Sequence, residues 1–393
     1  GDPIIVSLAD LTSGRPLRRR VKVEYDLDND GDCFSNPKKI GYFLLDALYD
    51  TLGIYDVLNK HKSMTKIKYD LNGLTKLLVF GRILNPASKA ETFRCRDKYA
   101  FDITSSKRLA EVYRALDPLN RKSDTIQTRM NYRIKGTVGR NTEVCFYDVT
   151  NYYFEIGEND EDVLNGTGTV IHEGFRKRGP SKEKRSEPIV QMGLFIDDNG
   201  IPIAHHLFPG NHIDQTTLRP ALKKSIDRLK LGRVIVVADG GLNSDKNIAH
   251  ILSEGNGYIL SKSTKKSAKA VKKWMLEEDG YEWNESRTFK VKSQIRKRTI
   301  KDESGGKVDI TEKLICYWSK KHYDREVREN AKFIEYLESV VKFPDKLKDK
   351  PRKIEKFLKK REVDEATGEI MDTKTVLSVD MDKIQEYMNL LGY

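Results

Sequence analysis

The hydrophobic repeat of this chain changes period once, near Glu143, and that change constrains its fold more than any other feature. From Tyr42 to about Ile134 apolar residues recur at helical spacing: Phe43, Leu44, Ala47, Leu48 and Leu52, then Leu74, Leu77, Leu78, Phe80, Ile83 and Leu84, with Asn85-Pro86 as a stop. After Glu143 the run Val144-Cys145-Phe146-Tyr147-Asp148-Val149-Thr150 is short, apolar and β-favouring, which predicts a buried strand. Two further β-favouring runs, Pro188 to Ile196 and Ile201 to Phe208, flank Asp197-Asp198-Asn199-Gly200, a hairpin-turn signal. Leu218 to Leu229 repeats as a helix, Arg233 to Asp239 as a buried strand, Ser244 to Ser253 as a helix and Gly257 to Ser261 as another strand. The succession β-β-β-α-β-α-β predicts an α/β fold, a mixed sheet with helices packed on it.

Beyond Ser261 the chain is charged. A helical piece runs to Glu278, then Arg287 to Lys292 and Lys313 to Trp318 alternate like surface strands, Tyr323 to about Val341 reads as an amphipathic helix, and a lysine-rich stretch leads to a last helix, Met381 to Leu391. The expected organisation is a basic N-terminal arm (1–40), a helical, DNA-binding domain (41–140), the first part of a ribonuclease-H-like core (141–262) and an inserted β-containing subdomain (263–393). Its 393 residues suffice for two or three such domains at roughly 150 residues each.

Lysine and arginine number 71 against 59 acids, a net charge of +12, which favours a polyanionic partner, nucleic acid first, over a neutral metabolite. Cys33, Cys95, Cys145 and Cys316 form no Cys-x-x-Cys pair, which fits a reducing cytosol. No apolar run approaches the roughly 20 residues of a membrane span and no leader opens the chain, so a soluble, cytoplasmic protein is expected. The first residue is Gly1, so the natural start is expected upstream.

Two aspartates stand out. Asp148 sits inside a run of strand formers, where a buried carboxylate costs several kcal/mol unless a cation or donors compensate. A divalent metal would compensate; so would an arginine partner or a capping role at a strand end. Asp239 ends Val234-Ile235-Val236-Val237-Ala238, after which Gly240-Gly241 turns the chain and Asn243-Ser244 can cap a helix. Alone it is an ordinary strand-to-helix acid. Together, on neighbouring strands, the two could hold a pair of magnesium ions about 3.5 to 4 Å apart for phosphodiester chemistry.

The segments Tyr147 to Phe154, Gly179 to Arg185 and Val237 to Asn243, with Arg82 to Lys89 and Asp279 to Asn284, resemble in order and spacing the aspartate-aspartate-glutamate transposases of bacterial insertion sequences, in the branch related to insertion sequence four. The resemblance runs from about residue 40 to the end. It implies a ribonuclease-H-like core with three acids, a β-rich insertion before the third, and Mg2+ or Mn2+ as cofactor, with Asp148 and Asp239 as the first two acids. It also implies double-stranded DNA, as element ends and target, a homodimer on paired ends, and hydrolysis that frees a 3′-hydroxyl to attack DNA.

In that family the third acid lies within Tyr-x-x-Arg-x-x-x-Glu-x-x-x-x-x-x-Lys. Tyr323 to Glu329 comes nearest, yet one residue separates Tyr323 from Arg325, and Tyr336 stands where lysine belongs, so Glu329 reads as part of a surface helix. The glutamate is expected beyond Tyr393. A chain without it would cut DNA poorly, leaving a truncated, inactive DNA-binding remnant as one alternative and a ribonuclease-H-like nuclease as another.

Basic runs are by default solvated faces. Arg176, Lys177 and Arg178, with Lys182, Lys184 and Arg185, lie between the first two expected strands, where a loop could clamp phosphates. Lys292, Arg296, Lys297 and Arg298 are a second candidate set. Asp26 to Asp32 opens like a calcium loop but has Pro37 at the twelfth position, and reads as an acidic turn. His205 and His206, adjacent on a strand, should face opposite sides and make a poor zinc pair with His212, although His206 or His212 could touch DNA. Asp197 and Asp198 read as turn formers and Asp214 as a helix cap.

Overall fold

The computed structural model describes residues 38–100, 102–180, 186–265, 267–343, 357–362 and 375–393. Nearly all of the basic arm, the acidic turn at Asp26 to Asp32, and Lys182, Lys184 and Arg185 lie outside the described residues. The described chain falls into two compact units, one running to Leu242 and including His250–Leu260, the other made of Asn243–Ala249 and Ser261–Tyr393.

In the first unit, helices α1 (Tyr42–Leu52), α2 (Ile54–Ser63), α3 (Leu71–Leu84), α4 (Lys89–Arg94) and α5 (Leu109–Val138) follow the expected helical repeat. Asp70 starts α3 by accepting the Gly73 N–H at 3.0 Å, and its other oxygen takes the Thr104 hydroxyl and the Ser105 N–H, both at 3.0 Å. Asn85 follows the last residue of α3, where the Asn-Pro pair predicts a stop. Leu58, Leu71, Leu74, Leu77 and Phe80 bury their side chains together with Val112 and Ala115 of α5.

The sheet begins at Val144, as the change of period predicts. Strands β1 (Val144–Tyr153), β4 (Ile189–Ile196), β5 (Pro202–Pro209), β6 (Ile235–Ala238) and β7 (Gly257–Leu260) form one sheet in the order β5-β4-β1-β6-β7. β1 runs antiparallel to β4, β4 antiparallel to β5, and β1, β6 and β7 are mutually parallel. That order and polarity are ribonuclease-H-like. A short hairpin, β2 (Val163–Leu164) with β3 (Val170–His172), stands between β1 and β4, where direct succession was expected; its strands are too short to leave a period in the sequence.

Helices α6 (Asp214–Leu229) and α7 (Asp245–Ser253) connect β5 to β6 and β6 to β7. Leu218, Ala221 and Leu222 of α6 and Ile251 of α7 bury one face of the sheet, against Cys145, Tyr147, Val149, Phe195 and Val236. Asp214 is the first residue of α6, one place inside the expected cap.

In the second unit, α8 (Lys269–Leu276) precedes a three-stranded sheet of order β10-β9-β8, built from β8 (Glu282–Trp283), β9 (Phe289–Lys301) and β10 (Lys307–Ser319). Each long strand has 13 residues, twice the expected span. The extra length was hidden because Arg296 and Arg298 sit at inward positions, where both bond Glu312 of the facing strand. Helix α9 (Lys320–Lys342), a strand pair β11 (Leu358–Glu362) with β12 (Thr375–Val379), and α10 (Met381–Met388) complete the unit. Leu337, Val340, Phe357 and Ile384 form its apolar centre. No helix among the described residues is long and apolar enough to cross a membrane.

Candidate active site

β1 and β6 are neighbours in the sheet, and their parallel register pairs Cys145 with Val236 and Tyr147 with Ala238. Asp148 comes next within β1, and Asp239 directly follows Ala238, the last residue of β6. They therefore stand side by side, on backbones about 4.8 Å apart, at the carboxyl end of β6. Side chains alternate along a strand, so the burial of Cys145 and Tyr147 against α6 and α7 turns Asp148 to the opposite face, and Asp239, directly after β6, is exposed.

Tyr147 holds that rotation in place. Its ring packs on Phe195 at 4.5 Å, its hydroxyl donates to Thr217 of α6 at 2.9 Å, and burial raises its pKa. Gly193 lies under the ring: a Cβ there would meet the Tyr147 hydroxyl at 2.1 Å.

The aspartates' face is open among the described residues. Phe146, Asp148, Thr150 and Tyr152 of β1 are exposed, as are Leu207 of β5 and Ile259 of β7. Asp148 is thus not the buried carboxylate that its neighbours suggest. β1 buries one face of its alternation rather than both, so register, not burial cost, singles the two acids out.

The Asp148 carboxylate has no hydrogen bond or ion pair among the described residues. Asp239 Oδ1 accepts the Gly241 N–H at 3.1 Å, and the Asp239 carbonyl accepts the Leu242 N–H at 3.2 Å, so the Gly240-Gly241 turn orients the carboxylate. Ser244 caps α7 as expected, its hydroxyl accepting the Asn247 N–H at 3.3 Å.

An all-oxygen donor pair with unused lone pairs suits a hard divalent cation. Asp148 and Asp239 fit such an ion as two of its protein ligands. No group of three or more His, Cys, Asp or Glu side chains placed to hold a metal occurs among the described residues. Glu329 is exposed on α9 of the second unit, as its sequence context predicts.

The basic candidates separate once their partners are seen. Arg176 is ion-paired with Asp160 and holds that carboxyl below its usual range; Lys177 pairs with Asp162 at 2.8 Å. Arg178 is exposed, with a hydrogen bond to the Gly157 carbonyl at 2.5 Å and no acid partner among the described residues. Lys292 is 6% exposed: its ammonium bonds the Glu277 carbonyl at 2.5 Å and lies over the rings of Tyr281 and Trp274. Arg298 bonds Asp245 at 2.8 Å as well as Glu312, and Lys297 is exposed.

His205 and His206 do face opposite sides. His206 is buried on the core face with Nε2 at 2.8 Å from the Ser225 hydroxyl, which removes it from any nucleic-acid contact; His212 lies 3.6 Å from Glu173. Asp197 is more than a turn former. It accepts the Asn199 and Ile201 N–H groups at 3.0 and 2.8 Å, and pairs at 2.9 Å with Arg140, each side chain 1% exposed. Arg140 follows the end of α5 and also bonds Asn131 and the Pro202 carbonyl, at 2.6 and 2.8 Å, so it ties the helical region to the β4–β5 turn. An isolated arginine in a polar stretch gives no sequence signal of this.

No protein-family model and no curated protein matches the chain. Among solved structures it is similar to a Mos1 transposase paired-end complex with the left transposon end, at 9% identity over 62% of this chain and 81% of that one, TM-score 0.21. A piggyBac transposase synaptic complex with hairpin DNA shares 10% identity over 67% of this chain and 58% of that one, TM-score 0.30. A Mos1 mariner paired-end complex with Mn shares 10% identity over 54% and 71%, TM-score 0.21. At such TM-scores these likenesses carry no weight for function.

Proposed function

We propose that this chain carries two catalytic aspartates of a metal-dependent DNA transposase, of the aspartate-aspartate-glutamate type and in the insertion-sequence branch that its motifs resemble. The observation that supports this most is the Tyr147–Ala238 register, because Asp148 and Asp239 are the residues that follow that pair and both are exposed. Neither carboxylate is neutralised by an arginine or lysine among the described residues, unlike Asp197, Asp160 and Asp162. Those three are held by cations; Asp148 and Asp239, among the described residues, are not.

Asp148 would offer both oxygens to a cation, and Asp239 its Oδ2, with Oδ1 steadied by the Gly241 N–H. Bound Mg2+ or Mn2+ would supply activation of water and neutralisation of the leaving 3′-oxygen. The exposed Thr150 and Tyr152 continue the same face of β1, where a DNA strand would lie. Arg178, with Lys182, Lys184 and Arg185, is proposed to contact phosphates, and the working form to be a homodimer on paired DNA ends.

The test uses the full natural protein with a duplex bearing the element ends. Asp148→Asn and Asp239→Asn should each abolish Mg2+-dependent strand cleavage while DNA binding persists. Retained cleavage in either variant would sink the assignment. Equal cutting of unrelated duplexes would favour a general ribonuclease-H-like nuclease over a transposase.

A further inference from the structure

The β9–β10 ribbon treats its two faces differently. Register pairs Lys290 with Trp318, Lys292 with Cys316, Arg296 with Glu312 and Arg298 with Ile310 on the inward face. Every cation there is neutralised or enclosed: Lys290 by Glu278 at 2.6 Å, Arg296 and Arg298 by Glu312, and Lys292 by backbone carbonyls and two aromatic rings. The outward face carries Ile295 opposite Lys313, Lys297 opposite Thr311, and Lys301 opposite Lys307. All four of these lysines are exposed, and none has an ion pair or hydrogen bond among the described residues. The only acid in these outward rows, Asp309, accepts the Thr299 hydroxyl at 2.6 Å.

Apolar groups continue the same face. Ile295 is 68% and Ile315 57% exposed, and Phe289 stacks on Tyr317 with centroids 5.8 Å apart. A face kept only for solubility would not expose these side chains in one row with its lysines.

We propose that the outward face of the β9–β10 ribbon docks against duplex DNA, with Lys297, Lys301, Lys307 and Lys313 contacting phosphates. Charge decides the partner: four unpaired ammonium groups against one carboxylate suit a polyanion, and a two-stranded ribbon has the width that the DNA major groove admits. Two residues along a strand advance about 6.8 Å, so the rows from Lys313 to Lys307 extend over about 20 Å, the length of some six base pairs. The contact set therefore differs from the one the linear sequence suggests, keeping Lys297 and replacing Lys292, Arg296 and Arg298 with Lys301, Lys307 and Lys313. The inference rests on DNA being the substrate.

The test measures binding of a duplex by the full protein as a function of salt. The quadruple variant Lys297→Gln, Lys301→Gln, Lys307→Gln, Lys313→Gln should lower the magnitude of the slope of log K against log salt by about 3 to 4, at roughly 0.9 per phosphate contact. The four Lys→Arg changes should preserve the slope, and Lys321→Gln with Lys332→Gln on α9 should leave it unchanged. An unaltered slope in the quadruple Gln variant, or an equal loss per charge in the α9 variant, would overturn the docking surface. Wild-type protein that binds no DNA at all would instead sink the proposed function, and an Asp148→Asn protein that binds but does not cut keeps the two readings apart.

Discussion

Asp148, the acid proposed for catalysis, and Asp197, an acid held in a buried ion pair, differ in what surrounds them. Asp148 is exposed with no partner among the described residues, so Asp148→Asn should leave the urea unfolding midpoint unchanged within error. Asp197 is 1% exposed and bound to Arg140. Removing one member of such a pair strands a buried charge, so Asp197→Ala should cost about 3 to 5 kcal/mol in chemical denaturation. A midpoint shift in the first variant, or none in the second, would reverse these roles.

His206 adds a pH dependence at the same scale. Burial, reinforced by Arg228 and Lys224 and opposed by Asp124, pushes its pKa down to about 4. The unfolded chain takes that proton near 6.5, the folded chain not until about 4, so stability present above pH 6.5 is lost as pH falls through that window. Denaturation midpoints should decline from pH 7 to pH 4.5, and His206→Gln, which can still bond Ser225, should flatten the decline. An identical decline in the variant would place the titrating group elsewhere.

Strand β1 is the element on which the proposed site depends, and Tyr147 fixes its rotation. Gly193→Ala would drive a Cβ into the Tyr147 hydroxyl, so it should destabilise the protein by about 1 to 3 kcal/mol and disturb cleavage with Asp148 intact. Full activity and stability in Gly193→Ala would show that the strand tolerates another rotation. The strand itself was legible because Val144 to Thr150 are β formers after a helical stretch, and Asp239 was legible because it closes an apolar run before Gly-Gly. What the sequence could not supply was register: the pairing of Tyr147 with Ala238 joins residues 91 apart in the chain. Likewise the exposed state of Asp148 depends on which face α6 covers, and no local pattern encodes that. The ribbon misled for a related reason. Lys292, Arg296 and Lys297 look alike in a basic run, and only the alternation of the strand against Glu312 and Tyr281 makes two of them internal.

For the molecule as a whole, the net charge of +12 pointed to a polyanion, and the folded chain shows how unevenly that charge is available. Arg140, Arg176, Lys177, Lys290, Arg296 and Arg298 are held by acids, whereas Arg178, Lys297, Lys301, Lys307 and Lys313 are not, among the described residues. A ribonuclease-H-like sheet in the first unit carries the two aspartates, and a long ribbon in the second carries the row of lysines unpaired among the described residues. Asp148 and Asp239 are proposed to share one cation site. Iron-directed backbone cleavage reads out that sharing: Fe2+ replaces Mg2+ in the full natural protein, ascorbate and peroxide generate hydroxyl radicals at the bound ion, and the cut sites are mapped. Cuts should cluster beside both Asp148 and Asp239, fade together with excess Mg2+, and vanish at both positions in Asp148→Asn. Cuts at only one of the two, or cuts that survive Asp148→Asn, would contradict a shared site.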